Sequence, residues 1–335
     1  MIKPFNVRYL LLVSKLQNQG MLLNLEEALT QTYKPLLAAL AGCLSPQGIG
    51  VSTYVCDEVE ENRRMAGFAQ ARMRRARSEA DVVYLAPSLS VTGDAKALWF
   101  RLLEQLCREA GEQGIQRAFA RLPEDGPEVE AFQQVGFSIY TQEDVFRLGQ
   151  IPPDLSRPER ITVRPQQFAD NWGLQELYKT IAPRLVQQAE NLTARKWQAT
   201  PSLWLGHTRR EGYVLEDKGE VIGYLRIRQG QTGHWLEVLL HPQAYERADE
   251  LVVQSLFLLA EYPPHPIYCC LRRYQGGLRP RLEAQGFQLL ASQCVMVKHT
   301  TVRVKKPALR LVPALEKRAE APAPMMKTQG MLNDQ

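Results

Sequence analysis

The stretch Val135-Gly-Phe-Ser-Ile-Tyr-Thr-Gln-Glu-Asp-Val-Phe-Arg147 recurs without a gap, 150 residues later, as Gln285-Gly-Phe-Gln-Leu-Leu-Ala-Ser-Gln-Cys-Val-Met-Val297. Two further matches lie upstream in the same order. Ala66–Arg72 aligns with Ile222–Arg228, and the strand before Pro87 aligns with the strand before Pro242. An ordered series of matches indicates an internal repeat, so we interpret the chain as two diverged copies of one domain.

The length agrees with two copies and a remainder. The 335 residues allow two domains at about 150 residues each. Three prolines within 149–158 interrupt all periodicity, which predicts a linker at 149–159 between a domain over 1–148 and a second over 160–300. Beyond this point prolines stand among Ala, Lys and Glu, and we expect 301–335 to be a disordered tail.

Most of the net charge belongs to that tail. From Thr301 onward there are seven basic and three acidic residues, which contribute +4 of the total +5. The nearly neutral body argues against a whole-domain nucleic-acid binder, although the tail could recruit the protein to an anionic surface. The apolar runs are too short to span a bilayer, and we expect a cytoplasmic protein. The six cysteines and five histidines have no metal-ligand spacing, so no metal site is predicted.

Both copies have the same predicted order of elements. A helical region comes first, then an antiparallel meander of strands, a helix, a buried strand, a helix that ends in Gly-Phe, and a final strand pair. In the first copy an apolar stripe from Leu98 to Cys107 marks the central helix. Asn24 with Glu27 predicts a capping box at the start of the first helical region.

This order resembles the GNAT acyltransferase superfamily over roughly 1–148 and 160–300. The Gly136-Phe137 and Gly286-Phe287 pairs after the last helix, and the order of strand, proline, loop and helix at Pro87 and Pro242, carry the resemblance. It implies an α/β fold of two tandem GNAT-like domains, each a mixed, mainly antiparallel twisted sheet flanked by helices.

The resemblance also implies where acetyl-CoA would bind as the acyl donor. In the family, acyl-CoA lies against the end of the fourth strand, and its pyrophosphate rests on the loop that opens the next helix, where free N–H groups and glycine favour phosphate. In the first copy the corresponding residues keep glycine and alanine in place, but Ser90 stands where the family has a longer polar side chain. The cofactor-binding candidates are Leu85, Ala86, Thr92, Gly93, Asp94, Ala95 and Lys96.

The second copy is degenerate by the same criterion. Its loop, Pro242–Glu250, contains no glycine and three carboxylates, which oppose a pyrophosphate both sterically and electrostatically. We therefore expect no CoA binding in this half.

Catalytic groups are sparse. The resemblance implies a base on the fourth strand, and Glu237 is the candidate, with a solvent-facing strand glutamate as the alternative. The family often has a proton-donating Tyr four residues before the Gly-Phe glycine. The corresponding residues here, Phe132 and Leu282, cannot donate a proton.

Two arginine clusters complete the candidates. Arg63 to Arg77 holds six arginines, interpreted as a solvated outer face. Arg272, Arg273, Arg279 and Arg281 surround Tyr274 near the place where the family's acceptor channel would end.

Together these features predict an N-acyltransferase that passes an acetyl group from acetyl-CoA to a primary amine by direct attack. The acceptor would be a small molecule or a peptide, and a homo-oligomer stays open. The alternative is a non-catalytic binding or regulatory module on the same fold.

Overall fold

The computed structural model describes residues 2–44, 50–60, 63–74, 78–91, 95–153, 155, 163–192, 197 and 210–300. Residues Met1–Arg303 form one compact unit. The predicted tail lies outside the described residues, and so do Arg75 and Arg77 of the first arginine cluster.

The first half contributes seven strands and five helices among the described residues. The strands are β1 (Lys3–Pro4), β2 (Met21–Leu22), β3 (Val51–Glu60), β4 (Arg63–Met73), β5 (Glu79–Ala86), β6 (Arg117–Pro123) and β7 (Ser138–Leu148). The helices are α1 (Leu10–Leu16), α2 (Leu25–Thr30), α3 (Pro35–Leu44), α4 (Ala95–Glu112) and α5 (Pro127–Gln134). The apolar stripe of α4 is buried, as its periodicity predicts.

The second half follows the same plan. Its strands are β8 (Val163–Pro165), β9 (Arg210–Asp217), β10 (Glu220–Arg228), β11 (His234–Leu240), β12 (Ile267–Arg272) and β13 (Gln288–His299). Its helices are α6 (Asp170–Ile181), α7 (Arg184–Glu190), α8 (Ala248–Ala260) and α9 (Arg279–Ala284). The repeat glycines follow α5 and α9: Gly136 has φ 93° and Gly286 has φ 87°, a left-handed conformation that ends a helix and favours glycine.

The described strands form one 13-stranded sheet in the order β1-β3-β4-β5-β6-β13-β7-β12-β11-β10-β9-β8, with β2 paired to β5 off this path. Two neighbouring pairs are parallel, β5 with β6 and β11 with β12, and the other pairs are antiparallel. The mixed sheet flanked by helices confirms the predicted fold class. Strands from both halves belong to this one sheet. The boundaries of the linker at 149–159 stay a prediction.

The final strand pair predicted for each copy is wrong. Each half ends in a single long strand, and the two strands are exchanged between the halves. β7 pairs with β12 of the second half, β13 pairs with β6 of the first, and β7 and β13 pair with each other. Each last strand thus finds its antiparallel partners in the other half, which no local hairpin signal in the sequence reports.

The two faces of the sheet differ in character. On one face α4 and α5 cover an apolar core around Trp99 and Phe132, and α8 and α9 cover a second core around Leu236 and Leu256. The opposite face is covered by α1 to α3 and by α6 and α7, and it carries most of the buried charged side chains. Glu237 lies on this second face, because it alternates along β11 with Leu236 and Val238 of the apolar core, whereas the candidates Leu85 and Ala95 belong to the core under α4. No helix in the described ranges is long and apolar enough to cross a membrane, and the cytoplasmic location stays a prediction.

Candidate functional site

The first-half candidates lie at the end of β5 and the start of α4. Leu85 and Ala86 are fully buried in β5, and Ala95 and Lys96 begin α4. The first turn of α4 has no acidic residue, which suits an anion. Lys96 pairs through Nζ with Glu130 at 2.9 Å, and both side chains are exposed. Thr92, Gly93 and Asp94 lie outside the described residues, so the loop assignment stays a prediction.

The chain itself occupies the edge of β5 at this point. β5 pairs with β6 only from Glu79 to Asp81, where the two parallel strands begin to diverge. Beyond it, β2 adds to the same sheet, with Met21 opposite Leu85 and Leu22 opposite Tyr84. We call residues 19–23 the inserted segment.

Backbone hydrogen bonds hold the inserted segment at both of its ends. The Leu23 amide donates to the Val83 carbonyl at 2.9 Å, and the Ser88 amide donates to the Gln19 carbonyl at 2.7 Å. The approach is close enough to require glycine at position 20, because a Cβ there would lie 2.5 Å from the Leu85 carbonyl oxygen. In this arrangement the end of β5 offers acyl-CoA no free edge.

In the second half, the parallel strands β11 and β12 also pair only over their first residues, His234–Glu237 and Ile267–Cys270. The space between them beyond this point is filled, like the space beside β5. The Gln275 side chain, 1% exposed, donates through Nε2 to the Val238 carbonyl at 3.2 Å. The loop before α8 is a 3-10 turn, Pro242–Arg247. Asp249 and Glu250 occupy the first turn of α8, where their charge opposes an anion. These features support the expectation that this half binds no CoA.

Glu237 lies on β11 and faces a cavity between the two halves. Its register partner on β10 is Arg226, and the two side chains form an ion pair with one third of each exposed. The cavity has a volume of about 100 Å³. It lies over the central strands of the sheet, and both halves contribute to it. Its lining residues are Asn24, Glu26, Arg121, Glu143, Tyr178, Glu190, Trp197, Tyr224, Arg226, Trp235, Glu237, Val238, Leu239, Cys270, Arg272, Tyr274, Gln275 and Gln293.

Arg272 is the centre of a buried ion network at this cavity. Its Nη2 donates to Glu190 at 2.9 Å, and its Nε lies 3.5 Å from Glu143, which also accepts from Arg121 Nε at 3.0 Å. Glu190 accepts two further hydrogen bonds, from Tyr140 at 3.1 Å and Tyr178 at 2.9 Å. Carboxylates and guanidinium groups thus compensate each other's desolvation.

This environment fixes protonation states. Burial raises the pKa of Tyr178, and the neighbouring Glu190 carboxylate raises it further, so the phenol stays protonated. Burial, together with Glu143 and Glu237, raises the pKa of the Cys270 thiol well above its ordinary value. Because only the thiolate is strongly nucleophilic, Cys270 is not a nucleophile at neutral pH.

Three residues that line the cavity carry buried polar atoms without a hydrogen-bond partner among the described residues. They are Trp235 Nε1, Arg272 Nη1 and Gln293 Oε1. Trp235 and Gln293 are each only 5% exposed. Buried donors and acceptors are normally satisfied, so unmet atoms that gather at one cavity indicate a place for a polar ligand or ordered water.

The solvated outer face predicted for the first arginine cluster is wrong for two of its members. Arg72 forms a two-pronged ion pair with the buried Glu27 of α2, and Arg74 pairs with Asp81 at 2.5 Å and with Glu79 at 2.9 Å. The capping box fails for the same reason, because Glu27 faces Arg72 and the Asn24 side chain caps nothing. Arg64 does match the prediction: it is 65% exposed and pairs with Asp57.

The structure does not bring the cofactor candidates and Glu237 together. From β5 to β11 the sheet order counts five strand steps. At about 4.8 Å per step this is about 24 Å. An acyl group held at the end of β5 is therefore out of reach of an amine beside Glu237.

Structure comparison finds similar architectures at low sequence identity. A GCN5-related N-acetyltransferase from Sphaerobacter thermophilus is 13% identical with a TM-score of 0.49, over 89% of this chain and 95% of its own. A tandem GNAT protein from the clavulanic acid biosynthesis pathway has the same identity and TM-score, over 89% of this chain and 98% of its own. A functionally unknown conserved protein from Staphylococcus epidermidis is 12% identical with a TM-score of 0.50, over 73% of this chain and 94% of its own.

The fold of this chain, a mixed sheet flanked by helices, resembles the folds of these proteins, and at these identities the likeness concerns the fold alone. No protein-family model and no curated protein matches the sequence.

The sequence predicted only part of the cavity. Glu237, Arg272 and Tyr274 were singled out, and all three line it. Arg121, Glu143 and Gln293 were missed, because the strand exchange brings them to the cavity from β6, β7 and β13. Tyr178 and Glu190 follow from no motif in the sequence.

Proposed function

We propose that this chain is a non-catalytic binding module on a GNAT fold, with its ligand in the central cavity between the halves. The observation that carries the proposal is the inserted segment. It takes the hydrogen bonds of the β5 edge, against which acyl-CoA would have to lie in the first half. Backbone groups already paired in a sheet are not available to a ligand.

The second half supports the same conclusion. The Gln275 side chain holds the Val238 carbonyl in the gap between β11 and β12, and Asp249 and Glu250 stand at the start of α8. Among the described residues, neither half offers an acyl donor a free strand edge. The cavity, in contrast, is built from both halves and has unmet polar atoms.

The test is a calorimetric titration of the full chain with acetyl-CoA, followed by an assay for released CoA thiol with a panel of primary amines. The proposal expects neither binding heat nor thiol release at millimolar acetyl-CoA. Saturable binding that Gly93→Glu abolishes would overturn it. An exposed control, Gln133→Glu, adds the same charge away from the loop and should leave any binding unchanged.

The second candidate is the N-acetyltransferase predicted from the sequence, acting on a primary amine. The favouring observation is the start of α4, which lacks acidic residues and follows the Gly93-x-Ala95 loop. This function requires the inserted segment to leave β5 and requires a base nearer than Glu237. Thiol release that persists in Glu237→Gln and is lost in Gly93→Glu would identify this candidate.

A further inference from the structure

We infer that the central cavity recognises a small zwitterion of the α-amino-acid type, which places its carboxylate at Arg272 and its ammonium group beside Gln293. The inference rests on the proposed function, because it names the ligand of the same cavity. The evidence is the position of the unmet polar atoms, the charge of the lining and the size of the space.

The two recognition groups belong to one row of the sheet. Arg272 on β12 is the register partner of Glu143 on β7, and Glu143 is in turn the partner of Gln293 on β13. At about 4.8 Å between neighbouring strands, the backbones of Arg272 and Gln293 are about 10 Å apart. Their side chains therefore flank the same part of the cavity, with Glu143 between them.

The Arg272 end suits a carboxylate. Two nitrogens of its guanidinium group already face Glu190 and Glu143, while Nη1 is buried and has no partner among the described residues. A hydrogen bond from a guanidinium N–H to a carboxylate oxygen is charge-assisted and about twice as strong as a neutral one. Tyr274 also lines the cavity, and burial raises the pKa of its phenol, which keeps a second donor protonated near this end.

The Gln293 end suits a cation. Its Oε1 is an acceptor without a partner in the part of the chain that the structure describes. The lining includes four carboxylates (Glu26, Glu143, Glu190 and Glu237) and three guanidinium groups (Arg121, Arg226 and Arg272), and Arg228 pairs with Glu26 at 2.6 Å from outside the lining. The charges around the cavity are therefore balanced, which suits a ligand whose own two charges cancel. A ligand with only one of the two charges would leave either Arg272 Nη1 or Gln293 Oε1 unmet, at a cost in affinity.

The size of the space limits the ligand. A volume of about 100 Å³ corresponds to about three water molecules. It accommodates the smallest amino acids and excludes a nucleotide or a long side chain. This separates the cavity ligand from acetyl-CoA by size as well as by charge.

The experiment titrates the full chain with glycine, L-alanine and L-serine, and with propionate and ethylamine as probes that carry one charge each. Trp197 and Trp235 line the cavity, so intrinsic fluorescence reports occupancy, and calorimetry gives the affinity. We expect at least one amino acid to bind at least tenfold more tightly than both one-charge probes. Equal binding of propionate, or no binding of any amino acid, overturns the inference.

Two variants separate recognition from folding. Gln293→Met removes the unmet oxygen at nearly constant volume, so the melting temperature should hold or rise while amino-acid affinity falls about tenfold. Arg272→Lys keeps a positive charge but loses the planar donor set, and we expect a similar loss. Gln133→Met, at an exposed position, should change neither quantity. Unchanged affinity in a folded Gln293→Met would overturn the inference.

These experiments can refute the ligand class and the non-catalytic function separately. Acetyl transfer to a bound amino acid would refute the non-catalytic proposal and support the ligand class. A chain that binds neither acetyl-CoA nor any amino-acid probe would overturn the ligand class alone.

Discussion

The contact between Gly20 and β5 makes a quantitative prediction for Gly20→Ala. An added Cβ would lie 2.4 Å from Tyr84 Cε1 and 2.5 Å from the Leu85 carbonyl oxygen. Both distances are far inside van der Waals contact, and the carbonyl belongs to a strand that β4 also holds, so the inserted segment has to move. We therefore expect the variant to weaken or release this segment.

The magnitude follows from two opposing effects. Overpacking of this kind costs about 1–3 kcal/mol. Alanine also lowers the conformational entropy of the unfolded chain, which returns about 0.4–1 kcal/mol. The net expectation is a loss of about 1.3 kcal/mol, within a range of about 0–2.6 kcal/mol, in the free energy of unfolding measured by urea denaturation.

Amide hydrogen exchange locates the effect. The Leu23 and Ser88 amides donate the two hydrogen bonds that hold the inserted segment, and both should exchange faster in Gly20→Ala. Gly149→Ala is the matched control, because no atom lies within 4 Å of its added Cβ, and it should leave stability and both amides unchanged. Unaltered exchange at Leu23 and Ser88 in a folded Gly20→Ala would refute the close-packing argument. If the inserted segment alone excludes acetyl-CoA, the same variant should also gain acetyl-CoA binding.

Three further perturbations test the remaining packing and charge. Arg272→Met should lower the free energy of unfolding by about 3–5 kcal/mol, because it removes the guanidinium group from the buried Glu190 and leaves Arg121 alone beside Glu143. Arg279→Met, at an exposed ion pair, should cost no more than about 1 kcal/mol in the same denaturation assay. Trp99→Phe should cost about 1–3 kcal/mol, because the Pro87 carbonyl loses the buried donor Nε1 at 2.7 Å; an unchanged denaturation midpoint would contradict this. Burial raises the pKa of Asp81, but Arg74 and its hydrogen bonds lower it more, so the folded-state pKa lies below the ordinary value. The stabilisation is then present above about pH 4 and is lost as the pH falls below it, and Asp81→Asn should flatten the fall in melting temperature below about pH 4.

Local periodicity and the repeat account for what the sequence predicts well. The α4 stripe, the meander strands and the Gly136 and Gly286 helix ends follow from spacing and from backbone conformation, which neighbouring residues determine. The exchange of β7 and β13 depends on which half offers the better edge to a strand, and no local pattern encodes that choice.

The site was harder to predict for the same reason. Glu237 could be placed because its strand position is defined by the meander, and its ion pair with Arg226 joins two neighbouring strands of that meander. Gln293, which lines the same cavity, depends on the distant pairing of β13 with β7. Arg72 and Arg74 were taken for surface groups because charge runs usually are. Arg72 instead meets Glu27 of α2, a partner 45 residues away, and Arg74 turns to Glu79 and Asp81 on the neighbouring strand β5.

The exchange of the last strands makes each half dependent on the other for its own completion. A polypeptide that ended near residue 155 would leave the inner edge of β6 without β13 and would present β7 without β12. Such a fragment would expose long unpaired strand edges, a known route to aggregation. Supplied as two separate chains, the halves should remain insoluble alone and assemble when refolded together, each lending a strand to the other as in a domain-swapped dimer.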